Sequence, residues 1–170
     1  VKGPAQINGA VTQIVWREVF SEKHKIKNDY SVRALLDSTA LEGLGIASAN
    51  IMTGSMSADL KYAVQKDGNR KLKGNIDFIK ASLDWPEFGL KKEVGTSTVA
   101  EVSAEFDQNG LITVASTNFS GEGSSGSADL KINSAPDERW KLKFNQLKIV
   151  NHRVDGVLVC QDDGVYAGTL

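Results

Sequence analysis

The chain has 170 residues, 41% of them hydrophobic and 24% charged, which is enough apolar side chain to bury a core and excludes intrinsic disorder. Twenty Lys and Arg against 21 Asp and Glu leave a formal charge of −1, which argues against attachment to nucleic acid or to an anionic membrane by net charge alone. A single cysteine, Cys160, and two histidines, His24 and His152, rule out an internal disulfide and a cysteine-rich zinc centre.

Apolar runs are only a few residues long, far short of the ~20 that span a bilayer as a helix. The absence of an initiator Met and the strand-like ending at Tyr166–Leu170 suggest an excised piece of a longer protein, with 1–170 making up a single β-rich unit.

Helix has little room in this sequence. Ser38 to Leu44 is the one stretch with room for a short helix, and Thr39-Ala40-Leu41-Glu42 has capping-box spacing. Period-2 alternation then takes over. From Met52 to Val64 the even positions read Met, Gly, Met, Ala, Leu, Tyr, Val, while Ser57, Asp59 and Lys61 fall between them, as in a strand with one dry face.

Lys66-Asp67-Gly68-Asn69 reads as a turn, and Leu72, Gly74, Ile76 and Phe78 resume the dry face. Beyond Phe78 the apolar phase slips to Ile79, Ala81 and Leu83, which predicts a β-bulge in a continuing strand that ends at Trp85-Pro86.

Further alternating runs follow at Ala100–Phe106, Leu111–Ser116, Ala128–Ile132, Trp140–Phe144 and Val154–Cys160. Turns fall at Asp107–Gly110 and Asn151-His152, and Asp162-Asp163-Gly164 follows the last run. About ten strands with tight turns predict an all-β antiparallel meander with at most one short helix.

Two segments repeat at a constant offset of 70 residues. Ser57-Ala58-Asp59-Leu60-Lys61 recurs at 127–131, and Lys71-Leu72-Lys73 at 141–143. Duplication predicts two superimposable hairpins, with Leu60 matching Leu130 and Leu72 matching Leu142 on one face.

Little of the inventory carries catalytic chemistry. Gly121-Glu122-Gly123-Ser124-Ser125-Gly126 fits the spacing of a dinucleotide-binding loop but leads into a strand pattern, so it reads as a hairpin end. His24 and His152 lie in polar loop and turn sequence with no orienting partner, and Asp162-Asp163 reads as a turn former. Asn118-Phe119-Ser120 is a formal glycosylation acceptor without a context to support it, and Cys160, in apolar alternation, reads as an inert buried thiol. No catalytic residue, metal site or cofactor is expected.

The dry-face side chains Met56, Leu60, Tyr62, Leu72, Ile76 and Phe78, with Val102, Phe106, Leu130, Leu142 and Phe144, form either a core or the lining of an apolar groove. Lys61, Lys71, Lys73, Lys131, Lys141 and Lys143 alternate onto the opposite face, which disfavours a nucleic-acid platform because aromatics and basic groups are then separated.

The stretch Ile76–Gly95, IDFIKASLDWPEFGLKKEVG, resembles the AsmA-like family of Gram-negative bacteria, above all its long YhdP-type members, which act as bridge-like lipid transfer proteins. Shared features are a strand ending in a hydrophobic-Pro-x-x-Gly segment, a Lys-x-x-Gly stretch and an alternating strand as at Thr98–Phe106. Similarity extends over about two thirds of the chain, including the Gly-rich turn and Ser127-Ala128-Asp129-Leu130 and, more weakly, Tyr30–Leu36 and Leu44-Gly45-Ile46.

The resemblance implies an open, taco-like β-groove, apolar inside, that carries phospholipid between inner and outer membranes. It also implies a periplasmic protein held to the inner membrane by segments outside this sequence, with no catalytic residues. The competing expectation is a structural or adhesive β-sandwich module without a ligand.

Overall fold

A computed structural model describes residues 2–7, 9–21, 23–43, 51–86, 90–135, 138–149, 152–161 and 166–169. Among these residues, thirteen strands and one short helix follow one another as β1 (Lys2–Ile7), β2 (Ala10–Glu18), β3 (Ile26–Asp37), α1 (Ser38–Gly43), β4 (Met52–Gln65), β5 (Arg70–Asp77) and β6 (Ala81–Trp85). The second half comprises β7 (Leu90–Lys92), β8 (Thr98–Phe106), β9 (Ile112–Gly121), β10 (Ser124–Ala135), β11 (Glu138–Ile149), β12 (His152–Gln161) and β13 (Tyr166–Thr169).

Eleven of the strands form one antiparallel meander in the order β1-β2-β3-β4-β5-β8-β9-β10-β11-β12-β13, and the sheet does not close. At ~4.8 Å per neighbour, ten spacings make it roughly 48 Å wide.

Alternation within each strand sorts side chains to two faces, and the register carries each face across the sheet. One row reads Val32, Leu60, Gly74, Val102, Thr117; the next reads Tyr30, Tyr62, Leu72, Ala104, Ala115, Leu130, Leu142, Leu158. One residue along, a rung on the other face reads Arg33, Asp59, Asn75, Glu101, Asn118, Ser127, Asn145. Since a residue and its direct cross-strand partner point the same way, the middle strands build one dry face and one polar face, the latter also carrying Val11, Val15 and Leu35 on β2 and β3 and Val157 and Val159 on β12.

The small second sheet corrects the expected bulge. β5 ends at Asp77, the chain turns over Phe78–Lys80, and β6 leaves the main sheet to pair with Met52–Gly54 of β4 and with β7. The slip in apolar phase after Phe78 thus records a change of sheet. Gly54 makes the junction possible: it has φ +84°, and a Cβ there would lie 2.3 Å from the Lys80 carbonyl oxygen. Only glycine admits that backbone approach.

The repeat holds for faces and fails for register. Leu60, Leu130, Leu72 and Leu142 all lie on the dry face, but Leu60 pairs with Gly74 whereas Leu130 pairs with Leu142, not with the equivalent Phe144. The first hairpin last pairs Val64 with Arg70, and the second pairs Ala135 with Glu138. A shorter connection moves the ladder by two residues, and an even shift keeps every side chain on its face.

The strand count also exceeds the expected ten. β1 contains Gly3 and Pro4, poor strand formers tolerated at a sheet edge, and β7 is only three residues long. α1 lies where expected, but its cap is Asp37, whose Oδ1 accepts the Ala40 N–H at 2.8 Å, not Thr39. The Asp162–Gly164 turn, the end of the predicted helix at Leu44, and Glu87–Gly89 lie outside the described residues.

Packing is concentrated at one end of the dry face. α1 and β6 cover it there, burying Ala10, Leu36, Ala40, Leu41, Met52, Met56, Ala58 and Ala81, with Leu60, Ile76, Phe78 and Leu83 packed against them. Elsewhere, among the described residues, the strands make substantial contact only with their ladder neighbours. No large side chain is fully buried among the described residues, and the accessible surface is 11115 Å². A compact chain of 18.3 kDa exposes about 8,100 Å². The excess is what a single-layer sheet leaves open.

Candidate apolar groove

All eleven side chains expected to line the groove fall on the dry face or at its capped end. Met56 is buried beneath α1, and Leu60, Tyr62, Leu72, Ile76, Phe78, Val102, Phe106, Leu130, Leu142 and Phe144 are half-buried. Half-burial on a sheet means flanks covered by neighbouring side chains and tips left bare. Ala58, Ala100 and Ala104 are buried between the larger residues, so the floor of the face is formed by small side chains and its ridges by long ones.

Two ends differ in chemistry. At the capped end, a cleft of about 460 Å³ lies between β6–β7 and the sheet, lined by Ile51, Phe78, Leu83, Ala100, Thr117 and Phe119 together with Lys92 and Thr98. Lys92 is the fastener of this flap. Although only 8% exposed, its ammonium donates to the carbonyl oxygens of Phe78 and Ala81, both at 2.7 Å, and of Glu93 at 3.2 Å. Burial holds its pKa below the ordinary lysine value, partly offset by the Asp77 carboxylate.

At the other end runs a row of aromatic rings. Trp16 and Tyr30 stack with centroids 6.4 Å apart, Tyr30 meets Tyr62 at 5.9 Å, and Tyr62 meets Phe106 edge-on at 6.2 Å. Tyr62 on β4 reaches Phe106 on β8 across β5, over Leu72 and the small Ala104. Trp16 and Tyr30 are additions to the expected lining. Their signal in the sequence is the alternation Ala10, Thr12, Ile14, Trp16 and Tyr30, Val32, Ala34, Leu36, which places both on the dry face.

Hollows occur on both faces. One of about 810 Å³ lies on the polar face and reaches from Lys2 on β1 to Asn118 on β9. A strongly twisted open sheet is saddle-shaped, so each face is hollow along one diagonal.

Other motifs resolve without chemistry. Glu122-Gly123 forms the β9–β10 connection, with Gly123 at φ +75° and Gly126 at a register shift in β10, so the glycine-rich stretch is a hairpin end. His24 is exposed. His152 opens β12, and its side chain lies outside the described residues, as does Asp162-Asp163. Cys160 is buried, 3% exposed. No three His, Cys, Asp or Glu side chains converge among the described residues, and no described helix is long and apolar enough to cross a membrane.

Comparison with family models, curated proteins and solved structures finds no match to the chain.

Proposed function

We propose that this chain is a lipid-binding segment whose dry sheet face holds phospholipid acyl chains, one stretch of a non-enzymatic path between inner and outer membranes of a Gram-negative envelope. The resemblance of Ile76–Gly95 to AsmA-like proteins supports the envelope context, with a periplasmic setting and a membrane anchor contributed by other parts of a longer protein.

One observation carries the reading. The dry face runs from Trp16 on β2 to Leu158 on β12, and among the described residues it is covered only at its α1 and β6 end. Exposed apolar area of that extent is unfavourable at ~25 cal/mol per Å², and a hydrocarbon occupant removes it from water without requiring a specific partner shape. The β-sandwich alternative needs a second main sheet against this face, and the described residues supply only β6–β7.

Mass spectrometry of solvent extracts from purified protein tests the proposal. Phospholipid should co-purify at a defined stoichiometry and be lost in Leu60→Asp, which sets a charge against the acyl chains at a cost of several kcal/mol. Asn75→Asp, on the polar face, should retain it. Folded wild-type protein without lipid would reject the reading.

A further inference from the structure

The polar face carries a feature that the lipid reading does not use. Lys61 and Lys73 are direct cross-strand partners on β4 and β5, a like-charge arrangement that opposes folding. Neighbouring basic groups are matched: Arg33 binds Asp59 at 2.9 Å, and Lys71 binds Glu105 at 2.5 Å. Lys61 and Lys73 make neither an ion pair nor a hydrogen bond of their side chains among the described residues.

Both line the 810 Å³ hollow, whose charged lining is four basic residues, Lys2, Arg33, Lys61 and Lys73, against Asp59 and Glu101. Along the same rung lie Ser31, Ser103 and Ser116, the last two with their hydroxyls 2.8 Å apart, and the next rung adds the amides of Asn75 and Asn118.

We propose that this hollow binds a hydroxyl-rich anion of the sugar-phosphate class, its phosphate bridging Lys61 and Lys73 and its hydroxyls meeting the serines and amides. An anion between two ammonium groups converts a repulsive pair into two charge-assisted bonds. The serine and asparagine side chains offer both donors and acceptors, which suits hydroxyl groups better than a bare phosphate. Concavity raises the potential over the pair by keeping counter-ions and water from surrounding it fully.

The protein contains its own control. Lys131 and Lys141 are likewise direct partners on the same face, but they do not line the hollow. If facing lysines alone sufficed, both pairs would bind alike.

Amide NMR titration of the full chain at low salt, with glucose 1-phosphate, inorganic phosphate and glucose as separate probes, tests the site. Glucose 1-phosphate should shift resonances around 61, 73, 103 and 116, and bind more tightly than either of the other two. Lys61→Gln and Lys73→Gln should each weaken it about tenfold, while Lys131→Gln and Lys141→Gln leave it unchanged. Lys61, Lys73 and Lys131 are exposed and Lys141 half-buried, so the variants should keep the fold, and relief of the repulsion should leave Lys73→Gln at least as heat-stable as wild type. Equal shifts at both lysine pairs, undiminished binding in the Lys61 and Lys73 variants, or inorganic phosphate binding as tightly as the sugar phosphate would overturn the proposal.

Discussion

Replacing Lys92 with Met should loosen the β6–β7 flap without unfolding the main sheet. The thioether has nearly the length of the lysine stem and fits an apolar site, so the change removes the ammonium and little else. Three bonds disappear, two of them at 2.7 Å. The Phe78 carbonyl keeps the Ala81 N–H at 2.9 Å and the Glu93 carbonyl keeps the Thr96 N–H at 3.3 Å, while the buried Ala81 carbonyl loses the ammonium. Two short charge-assisted bonds are worth ~1.5–3 kcal/mol each, and the variant recovers part of this because no charge is desolvated, leaving a net loss of about 2–4 kcal/mol. Since β6 and β7 contact the rest chiefly through β4, the loss should fall on local opening.

Hydrogen–deuterium exchange read by mass spectrometry then gives exchange roughly 30- to 700-fold faster in peptides covering 81–92, with β8–β11 unchanged. Unaltered exchange in that segment would refute the assignment of Lys92 as the fastener.

Other expectations follow from the same geometry. A Cβ on Gly74 would lie 2.1 Å from the Asp59 carbonyl oxygen and 2.9 Å from Leu60 Cδ2, so Gly74→Ala should lower stability by about 1–3 kcal/mol in urea titration. Gly3→Ala, with nothing within 4 Å, should not. Backbone N–H groups of Leu111 and Asn109 bond Asp107 Oδ1 at 2.9 Å each and hold its pKa below the ordinary value. A depressed carboxylate contributes stability above its unfolded pKa and loses it as pH falls through the folded one. The melting-temperature gap between wild type and Asp107→Ala should therefore shrink as pH drops from about 4 towards 2. Cys160 should react with a thiol reagent only on unfolding, as its burial predicts.

How far the sequence could be read follows the range of the forces involved. Which side chains share a face is local, because a strand alternates every residue, so Leu60, Tyr62, Leu72 and Leu142 could be placed without knowledge of their neighbours. Departure of β6 from the sheet is not local: it depends on Gly54 meeting the Lys80 carbonyl, 26 residues on in the chain. A phase slip alone cannot distinguish that from a bulge. Register in the second hairpin escaped for a related reason, since any even shift satisfies the same hydrophobic pattern. Lys92 gave no signal, being one of two adjacent lysines, and only the packed flap shows which is buried and which exposed. Lys61 and Lys73 read as solvated charges until the ladder set them opposite each other.

Leu130 and Lys131 are consecutive on β10 yet face opposite sides of the sheet, away from the covered end. A photo-reactive side chain placed at each in turn, and activated in intact cells, therefore measures which face meets lipid with one residue of difference between the two probes. Phospholipid adducts are expected from position 130 and none above background from position 131. Adducts from 130 only to protein, or lipid adducts of equal yield from both positions, would contradict a lipid-bearing dry face.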